Sequence, residues 1–327
     1  MSAESDPRAR LRALSDLATP WAIHVAATLR LADHVAAGAR TDDELAGAAG
    51  ADAGTLGRLL RLLVAQGVFD EPRPGEVALN DVSRLLLDDE GWRPWLDLDG
   101  APGIWTESWT RLLRAVRTGS PGEGEQGFQE RLAADPDRWD SFDELMAAHV
   151  ETTAAALASA YDWNGIAHVV DVGGGTGTLL RELLQAHSHL RGTLLELPEV
   201  AAKARASFAE AGLAGRCDVV EGSYFDLMPA GDVYCLSEIL HGFPDEPAAL
   251  LLRRCAEAGG PDARILVLEQ LVDPTEAAST GFDLFMLTLG GGRQRTADQF
   301  GTLAESAGLQ LRSATRLESE TDMLVLG

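Results

Sequence analysis

The chain has 327 residues, of which 46% are hydrophobic and 24% charged, a composition typical of a globular protein and not of a disordered or fibrous one. This length is about twice that of a typical domain, so two domains are expected. Acidic residues outnumber basic ones 51 to 27, and the formal charge of −24 disfavours a nucleic-acid partner, since such binding depends on neutralising phosphates. The three cysteines are widely spaced without a CxxC pair, so neither disulfides nor a thiolate zinc site is predicted.

The N-terminus begins with a polar, acidic stretch and lacks the apolar run of a signal peptide. No later segment reaches about 18 consecutive apolar residues, the length that a membrane-spanning helix requires. We therefore expect a cytoplasmic protein with no membrane partner.

Residues 1–91 are predicted to form short helices followed by a β-ribbon at 68–80. Thr41 and Glu44 have the spacing of a capping box, and a leucine-rich helix is expected at 53–66. This order of elements is typical of a winged helix-turn-helix, which suggests DNA reading. The leucine-rich helix carries only two arginines, however, so we interpret residues 1–91 as a winged-helix-like dimerisation domain.

Residues 92–160 are predicted to be a helical linker that also contributes to a substrate pocket. A Gly-rich acidic stretch at 119–127 should be an exposed loop. Tryptophans are concentrated in this region, where they either fill a core between helices or line an apolar ligand site, with core packing favoured. These tryptophans are Trp92, Trp95, Trp105, Trp109 and Trp139.

From residue 161 to 327, short apolar runs alternate with helical stretches, which predicts an α/β domain built on a parallel sheet. The five strand-like runs are at 167–172, 192–197, 216–222, 232–238 and 263–270. Two further runs, at 309–317 and 322–327, are close enough in sequence to pair as an antiparallel hairpin at one edge.

A glycine loop, DVGGGTG at 171–177, directly follows the first of these strands and precedes a helix. Glycine permits a tight turn and close approach of a ligand, and the helix presents free N–H groups to an anionic group. Thr178 occupies the sixth position of a GxGxxG fingerprint, which disfavours a dinucleotide. Glu196 ends the second strand, 25 residues after Asp171, where this fold places the acid that binds ribose hydroxyls. The pattern favours an adenosine-containing ligand over a turn that binds nothing.

Five runs in this order resemble the S-adenosylmethionine-dependent small-molecule O-methyltransferases that act on bacterial aromatic polyketides and plant phenols. The runs are VVDVGGGTG at 169–177, LLELPEV at 194–200, EGSYFDLMPAGDVYCLSEILHGFPDE at 221–246, ARILVLEQLVDP at 263–274 and FDLFMLTLGGGRQRT at 282–296. The resemblance covers nearly the whole chain. It implies a Rossmann-like class I methyltransferase sheet with an N-terminal dimerisation domain, a homodimer, and methylation of a hydroxyl on an aromatic secondary metabolite. S-adenosyl-L-methionine would be the methyl donor and S-adenosyl-L-homocysteine the product.

The resemblance also implies which residues bind the two ligands. The cofactor would contact Asp171, Gly173, Gly175, Gly177, Glu196, Leu197, Ser223, Tyr224 and Ser237. The acceptor pocket would be lined by Met146, His149, Asp283, Phe285 and Met286. Because Met146 and His149 have helical spacing, simple core packing is an alternative for both.

His241 lies just past the fourth strand, at the sheet edge where such folds bind ligands, and matches the catalytic histidine of the family. A phenol with a pKa of about 10 is mostly protonated at neutral pH, so a base would assist methyl transfer. Glu269 falls where the family keeps an acidic residue beside that histidine and would fix its tautomer. The alternatives are a loop histidine without a chemical role and a salt-bridged carboxylate.

Four positions depart from the family pattern. Gly242 replaces an Asp, Ser223 an Asp that contacts adenine, Ser237 a Lys or Arg, and Gln294 the second glutamate of the plant enzymes. An enzyme of this fold with altered chemistry, such as hydroxylation, decarboxylation, C-methylation or cyclisation, is therefore an alternative. A ligand-binding winged-helix regulator is a further one.

No metal site is predicted from the sequence. His187 and His189 are close in the chain, but they lack Cys or acidic companions at ligand spacing.

Overall fold

The computed structural model describes residues 6–122, 125–225, 228–319 and 321–327. It divides into two compact units, Met1–Thr106 and Glu107–Gly327. Residues 123 and 124 of the predicted loop, and residues 226 and 227 of the run at 221–246, lie outside the described residues. The predicted loop is shorter than expected, because a helix begins at Glu125. The three-part division at 91 and 160 stays a prediction.

The first unit is helical with one small ribbon. Its elements are α1 (Pro7–Leu14), α2 (Ala18–Thr28), α3 (Leu31–Ala36), α4 (Asp42–Ala49), α5 (Ala53–Ala65), β1 (Asp70–Arg73), β2 (Glu76–Ala78), α6 (Asp81–Arg84), a 3-10 turn (Arg93–Trp95) and most of α7 (Ala101–Ser108). The predicted ribbon is present, and its two strands pair antiparallel. The capping box of Thr41 and Glu44 is confirmed at the start of α4.

The core of the first unit is built on the leucine-rich helix α5, whose Leu56, Leu60 and Leu63 are buried. In contrast, α1 has no buried residue. Three leucines in and after α1, together with Trp21 of α2, expose large apolar side chains. These leucines are Leu11, Leu14 and Leu17.

The second unit surrounds one mixed sheet with helices. The helices are α8 (Leu112–Thr118), α9 (Glu125–Ala133), α10 (Pro136–Ala160), α11 (Thr178–Ala186), α12 (Pro198–Glu210), α13 (Asp245–Gly259), α14 (Ala277–Gly290) and α15 (Ala297–Ser306). The strands are β3 (His168–Val172), β4 (Arg191–Glu196), β5 (Cys217–Glu221), β6 (Val233–Ser237), β7 (Arg264–Glu269), β8 (Leu311–Arg316) and β9 (Asp322–Leu326).

The seven strands are ordered β5-β4-β3-β6-β7-β9-β8, which confirms the predicted Rossmann-like sheet. Strands β3 to β7 are parallel, and the C-terminal hairpin adds β9 and β8 antiparallel at one edge. The chain runs outward from β3 through β4 and β5, then returns to place β6 on the other side of β3. Ligands bind at such a switch point, outside the carboxyl ends of the strands.

The tryptophans of residues 92–160 do not all fill a core. Trp92 and Trp109 are 57% and 43% exposed, so core packing, favoured from the sequence, does not describe these two. None of the helices in the described part of the chain is both long and apolar enough to cross a bilayer.

Candidate active site

The glycine loop lies between the end of β3 and the start of α11. Gly173, Gly175 and Gly177 all have positive φ angles, of 68°, 59° and 82°. Residues with a Cβ atom adopt this left-handed conformation at a cost, so the backbone path itself favours glycine at these positions.

The surroundings of these glycines differ. A Cβ atom at Gly173 would lie 2.9 Å from Cδ1 of Ile239, and one at Gly177 would meet the ring of Phe208. A Cβ atom at Gly174 would meet the carboxylate of Asp171. At Gly175 it would meet no atom of the described residues within 4 Å. Close packing therefore explains three of the four glycines, and Gly175 is the one that borders open space.

Two buried carboxylates lie beside this loop. Glu196 ends β4, and its two oxygens accept hydrogen bonds from the N–H groups of Gly175 (2.8 Å) and Leu197 (2.7 Å). Asp171 is fully buried beneath the loop, and neither of its oxygens has a hydrogen-bond partner among the described residues. Burial raises the pKa of Asp171 to about 7, with a further contribution from the charge of Glu196. Burial likewise raises the pKa of Glu196 to about 7.

Such a pair favours a ligand that brings positive charge. Two buried carboxyl groups that resist ionisation gain from a nearby cation, because an opposite charge stabilises the ionised form. The open space at Gly175 and the carboxylate of Glu196 adjoin each other, since Glu196 accepts the Gly175 N–H. A cationic nucleoside such as S-adenosylmethionine fits both features.

The other predicted cofactor residues near this loop differ in their contacts. The Tyr224 ring lies 3.3 Å from where a Cβ atom on Gly173 would sit, and it meets Phe243 edge-on. Ser223 is engaged in a local turn, in which its hydroxyl accepts the N–H of Phe225. The hydroxyl of Ser237, at the end of β6, is buried and has no hydrogen-bond partner among the described residues.

A second acidic cluster lies where β6 and β7 end. His241 occupies a 3-10 turn, Leu240–Gly242, and its Nδ1 lies 2.8 Å from Oε2 of Glu269 and 3.2 Å from Oε2 of Glu238. The other oxygen of Glu269 accepts the backbone N–H of His241. Glu269 is 1% exposed, and the side chains of Glu238 and His241 are 14% exposed. The structure thus brings the two predicted catalytic residues into contact.

The protonation state of His241 follows from this cluster. Burial disfavours the imidazolium, but the charges of Glu269 and Glu238 outweigh burial and raise the pKa of His241 well above its ordinary value. The two carboxylates therefore favour the imidazolium form of His241 in the free protein. Ligand atoms of these three side chains lie within 4.8 Å of one another, and no other group of three His, Cys, Asp or Glu does so in the part of the chain described. Because the imidazolium already compensates one carboxylate, we interpret the group as a proton-handling cluster.

A buried arginine fixes the turn that carries His241. Arg295 is 1% exposed and donates hydrogen bonds to the carbonyls of Leu240 (2.9 Å) and Phe243 (2.8 Å) and to Asp245. The backbone N–H of Arg293 donates to the carbonyl of His241 at 2.8 Å. The backbone on both sides of the imidazole is therefore held by one planar guanidinium.

Aromatic rings extend from His241 along α14. The ring of Phe282 meets His241 edge-on at 5.8 Å between centroids, Phe285 lies 5.9 Å from Phe282, and Trp109 stacks on Phe285 at 6.1 Å. Such rings suit a planar apolar ligand.

The predicted acceptor-binding residues separate into three groups. Phe285 belongs to the aromatic series, whereas Met286 is buried within the unit. Asp283 accepts the backbone N–H of Gln294 at 2.8 Å. Met146 and His149 are half-buried on α10, and a role for them in the acceptor pocket stays a prediction.

Four residues in or near the site are not predicted from the sequence, and Phe282 is one of them although it lies in the run at 282–296. Glu238 had a weak signal, since it lies three residues before His241 and follows a strand directly. The sequence presents Trp109 only as one of several tryptophans, for which core packing is favoured. Arg295 had no signal at all, because nothing in a sequence shows that an arginine is buried.

Comparison with known proteins shows two matched family models. The O-methyltransferase domain matches residues 109–310, and the O-methyltransferase dimerisation domain matches residues 11–89.

Individual relatives cover almost the entire chain. A 2,7-dihydroxy-5-methyl-1-naphthoate 7-O-methyltransferase of Streptomyces carzinostaticus is 48% identical over 93% of this chain and 93% of its own. Aclacinomycin 10-hydroxylase of Streptomyces purpurascens is 42% identical over 95% of this chain and 86% of its own. The crystal structure of an O-methyltransferase from neocarzinostatin biosynthesis, in complex with S-adenosylmethionine and 2-hydroxy-5-methyl naphthoic acid, superposes with a TM-score of 0.90 at 46% identity. That superposition covers 97% of this chain and 98% of the other.

Proposed function

Because the chain belongs to the S-adenosylmethionine-dependent O-methyltransferases, we propose that it methylates a hydroxyl of a bicyclic aromatic acid and works as a homodimer. One observation carries the chemical part of this proposal. The buried His241–Glu269 contact lies at the same sheet edge as the Gly175–Glu196 pair, so a base and a nucleoside site border the same switch point.

The residues of the glycine loop would hold the cofactor. Glu196 would accept hydrogen bonds from the ribose hydroxyls through the lone pairs that its two backbone hydrogen bonds leave free. Gly175, which has no side chain, would allow the cofactor to approach the backbone closely. Asp171 would contribute negative charge beneath the loop, and Leu197, Ser223, Tyr224 and Ser237 would surround the nucleoside. When bound, S-adenosylmethionine supplies a methyl group on a positively charged sulfur. Gly173 and Gly177 would shape the loop and contact the cofactor through their backbone.

His241 would remove the proton of the acceptor hydroxyl. The carboxylates contact Nδ1, which leaves Nε2 as the ring nitrogen available to the acceptor. Because the carboxylates favour the protonated ring, His241 would first release its own proton to solvent. The acceptor O–H proton would then pass to Nε2 while the acceptor oxygen takes the methyl group and S-adenosylhomocysteine leaves. The two carboxylates then stabilise the imidazolium, and its proton is lost to solvent. A positioned base contributes a factor of about 10² to 10⁴, and alignment of the two reactants adds to this.

The aromatic residues support a planar acceptor. Phe282, Phe285 and Trp109 form a continuous series of rings that begins at His241. The 48% identical relative acts on a dihydroxy-methyl-naphthoate, and the superposed structure contains a hydroxy-methyl naphthoic acid. We therefore assign hydroxylated naphthoates as the acceptor class.

The homodimer would form through the first unit. The dimerisation model matches residues 11–89, and the first two helices expose Leu11, Leu14 and Trp21. Exposed apolar side chains of this size mark interaction surfaces. Light scattering of the purified protein should give twice the monomer mass, and Leu14→Glu should shift it toward the monomer. A monomeric wild-type protein would contradict this part of the proposal.

Formation of S-adenosylhomocysteine with a panel of hydroxynaphthoates tests the reaction. Methylated naphthoate and S-adenosylhomocysteine should appear in equal amounts. A second candidate, hydroxylation of a polycyclic acceptor, is favoured by the 42% identity with aclacinomycin 10-hydroxylase. Hydroxylated product without S-adenosylhomocysteine would establish that candidate and reject methyl transfer.

A further inference from the structure

Glu238 has an unusual backbone conformation. It follows β6 directly, and its φ of 55° is one of two positive φ angles that non-glycine residues adopt in the described chain. Its N–H donates to the carbonyl of Leu268 at 2.9 Å, so the strained residue is held against the end of β7. Left-handed residues with a Cβ persist only where the surroundings enforce them, and they concentrate at functional sites.

This conformation coincides with a contact to His241. Oε2 of Glu238 lies 3.2 Å from Nδ1, and its Oε1 is buried with no hydrogen-bond partner in the part of the chain that the structure describes. Glu269, the next residue after Leu268, approaches the same nitrogen from β7 at 2.8 Å. The two strand ends thus place two carboxylates against one ring nitrogen. Glu269 is the nearer of the two carboxylates, and both bring negative charge to the same ring nitrogen.

The position that the family resemblance assigns to a second acid does not supply one. Gln294 is neutral, its side-chain N–H group donates to the carbonyl of Gln270, and its backbone N–H donates to Asp283. Within the described residues, no hydrogen bond or ion pair joins Gln294 to His241. The second negative charge beside the imidazole comes instead from Glu238.

We propose that Glu238 is a positioning residue for His241, which together with Glu269 fixes the ring with Nε2 toward the acceptor and stabilises the imidazolium formed during methyl transfer. This inference rests on the proposed role of His241 as the base. Its physical basis is that two carboxylates in a buried site compensate an imidazolium more strongly than one does.

Other charged groups near His241 do not provide the same effect. Arg295 and Arg293 both pair with Asp245, and they bind the backbone of the turn and not the ring. Glu238 and Glu269 are the charged side chains that contact the imidazole in the described structure.

Two variants of Glu238 separate charge from backbone strain. Glu238→Gln keeps the size and removes the charge, whereas Glu238→Gly removes the charge and relieves the strain. At a pH above the acid limb of the kcat profile, where His241 is unprotonated, both should lower kcat by roughly tenfold with little change in KM for S-adenosylmethionine, since a positioned base is worth 10² to 10⁴ in all. A Glu238→Gly enzyme with full activity would show that only the backbone matters and would overturn the proposal. Glu246→Gln, at an exposed position on α13, is the matched control and should leave kcat unchanged.

Histidine titration in the ligand-free protein gives a readout that is independent of turnover. With ring-labelled histidine, the His241 signal is the one of seven that disappears in His241→Ala. In Glu238→Gln the His241 signal should titrate about one pH unit lower than in the wild type. The acid limb of the pH profile of kcat should also move to lower pH. An unchanged titration would overturn the inference. So would one equivalent of divalent metal in the purified protein that is lost in Glu238→Gln. A shifted titration in a protein that methylates no acceptor would reject the proposed function and leave the placement of Glu238 intact.

Discussion

Two pairs of acidic residues lie near the carboxyl ends of neighbouring strands, and they differ in what compensates them. Asp171 and Glu196 are buried, and neither forms an ion pair among the described residues. Glu238 and Glu269 lie against the imidazole of His241. The first pair gains a cation only from a ligand, whereas the second already has one. Binding of a positively charged cofactor belongs to the first pair, and proton transfer belongs to the second.

Removal of the imidazole should break the second site and leave the first intact. In His241→Ala we expect kcat to fall by roughly 10² to 10⁴, because the base is lost. The dissociation constant of S-adenosylmethionine, measured by calorimetry, should stay within about twofold of the wild type, since no contact joins His241 to the Asp171–Glu196 pair. Unchanged turnover at saturating acceptor would show that the reaction needs no base, and the two sites would then not divide the work as described.

A side-chain methyl group added to the glycine loop should weaken cofactor binding and leave the His241 site intact. Gly175→Ala introduces a Cβ into open space at a φ of 59°, and we expect cofactor affinity to fall by tenfold or more, as the space needed for close approach is filled. Gly212→Ala is a matched control, because it has a φ of 70° and also meets nothing within 4 Å. Both variants should lose about 1 kcal/mol of stability from the left-handed conformation. Equal cofactor affinity in the two variants would contradict a ligand site at Gly175.

The pH dependence of cofactor affinity sharpens the comparison further. Burial raises the pKa values of Asp171 and Glu196 to about 7, so both carboxyls become neutral as the pH falls below that value. A cationic ligand prefers the ionised forms, so affinity should weaken from pH 8 to pH 6, by at most about tenfold per pH unit for each proton taken up. Calorimetry across this range measures it. The dependence should become shallower in Asp171→Asn, and an affinity that is constant with pH would reject this charge assignment.

The same two groups predict how stability changes with pH. Their pKa values are higher in the folded protein than in the unfolded chain, so the folded state binds more protons. Stability should therefore fall as the pH rises from the ordinary carboxyl range toward about 7, by up to about 1.4 kcal/mol per pH unit for each group. Thermal unfolding of Asp171→Asn should show a weaker fall than the wild type. A parallel decline in both proteins would mean that other groups control the effect.

The architecture of the second unit could be predicted from the sequence because the patterns that indicate its strands and helices are local. Alternating apolar runs separated by helical stretches correspond to strands β3 to β7, and the short connection after residue 317 corresponds to the terminal hairpin. Similarly, the Thr41–Glu44 capping box depends only on residues three positions apart. The end of the loop near residue 119 was harder to predict, because acidic residues are also favourable in the first turn of a helix, and a helix begins at Glu125.

The site could be predicted only in part, because some of its contacts join residues that are distant in sequence. The glycine loop, Glu196, His241 and Glu269 each follow a strand, and parallel strands bring their carboxyl ends to one edge. In contrast, the burial of Asp171 and the different surroundings of Gly175 and Gly177 depend on side chains distant in sequence, such as Phe208. The contact of Glu238 with His241 depends on a left-handed residue that no propensity favours.

The smallest expected effect concerns Arg295, which holds the turn that carries His241. Arg295→Lys replaces a planar guanidinium, which bonds Leu240, Phe243 and Asp245 together, by an ammonium that cannot match this geometry. We expect a loss of about 1 to 3 kcal/mol in stability from the unsatisfied buried carbonyls. Because the turn then holds the imidazole less firmly, kcat should fall several-fold while cofactor affinity stays constant. Arg293→Lys is the matched control, since its side chain pairs with the same Asp245 at 42% exposure, where such a pair contributes little. Equal kcat losses in the two variants would show that Asp245 and not Arg295 holds the turn.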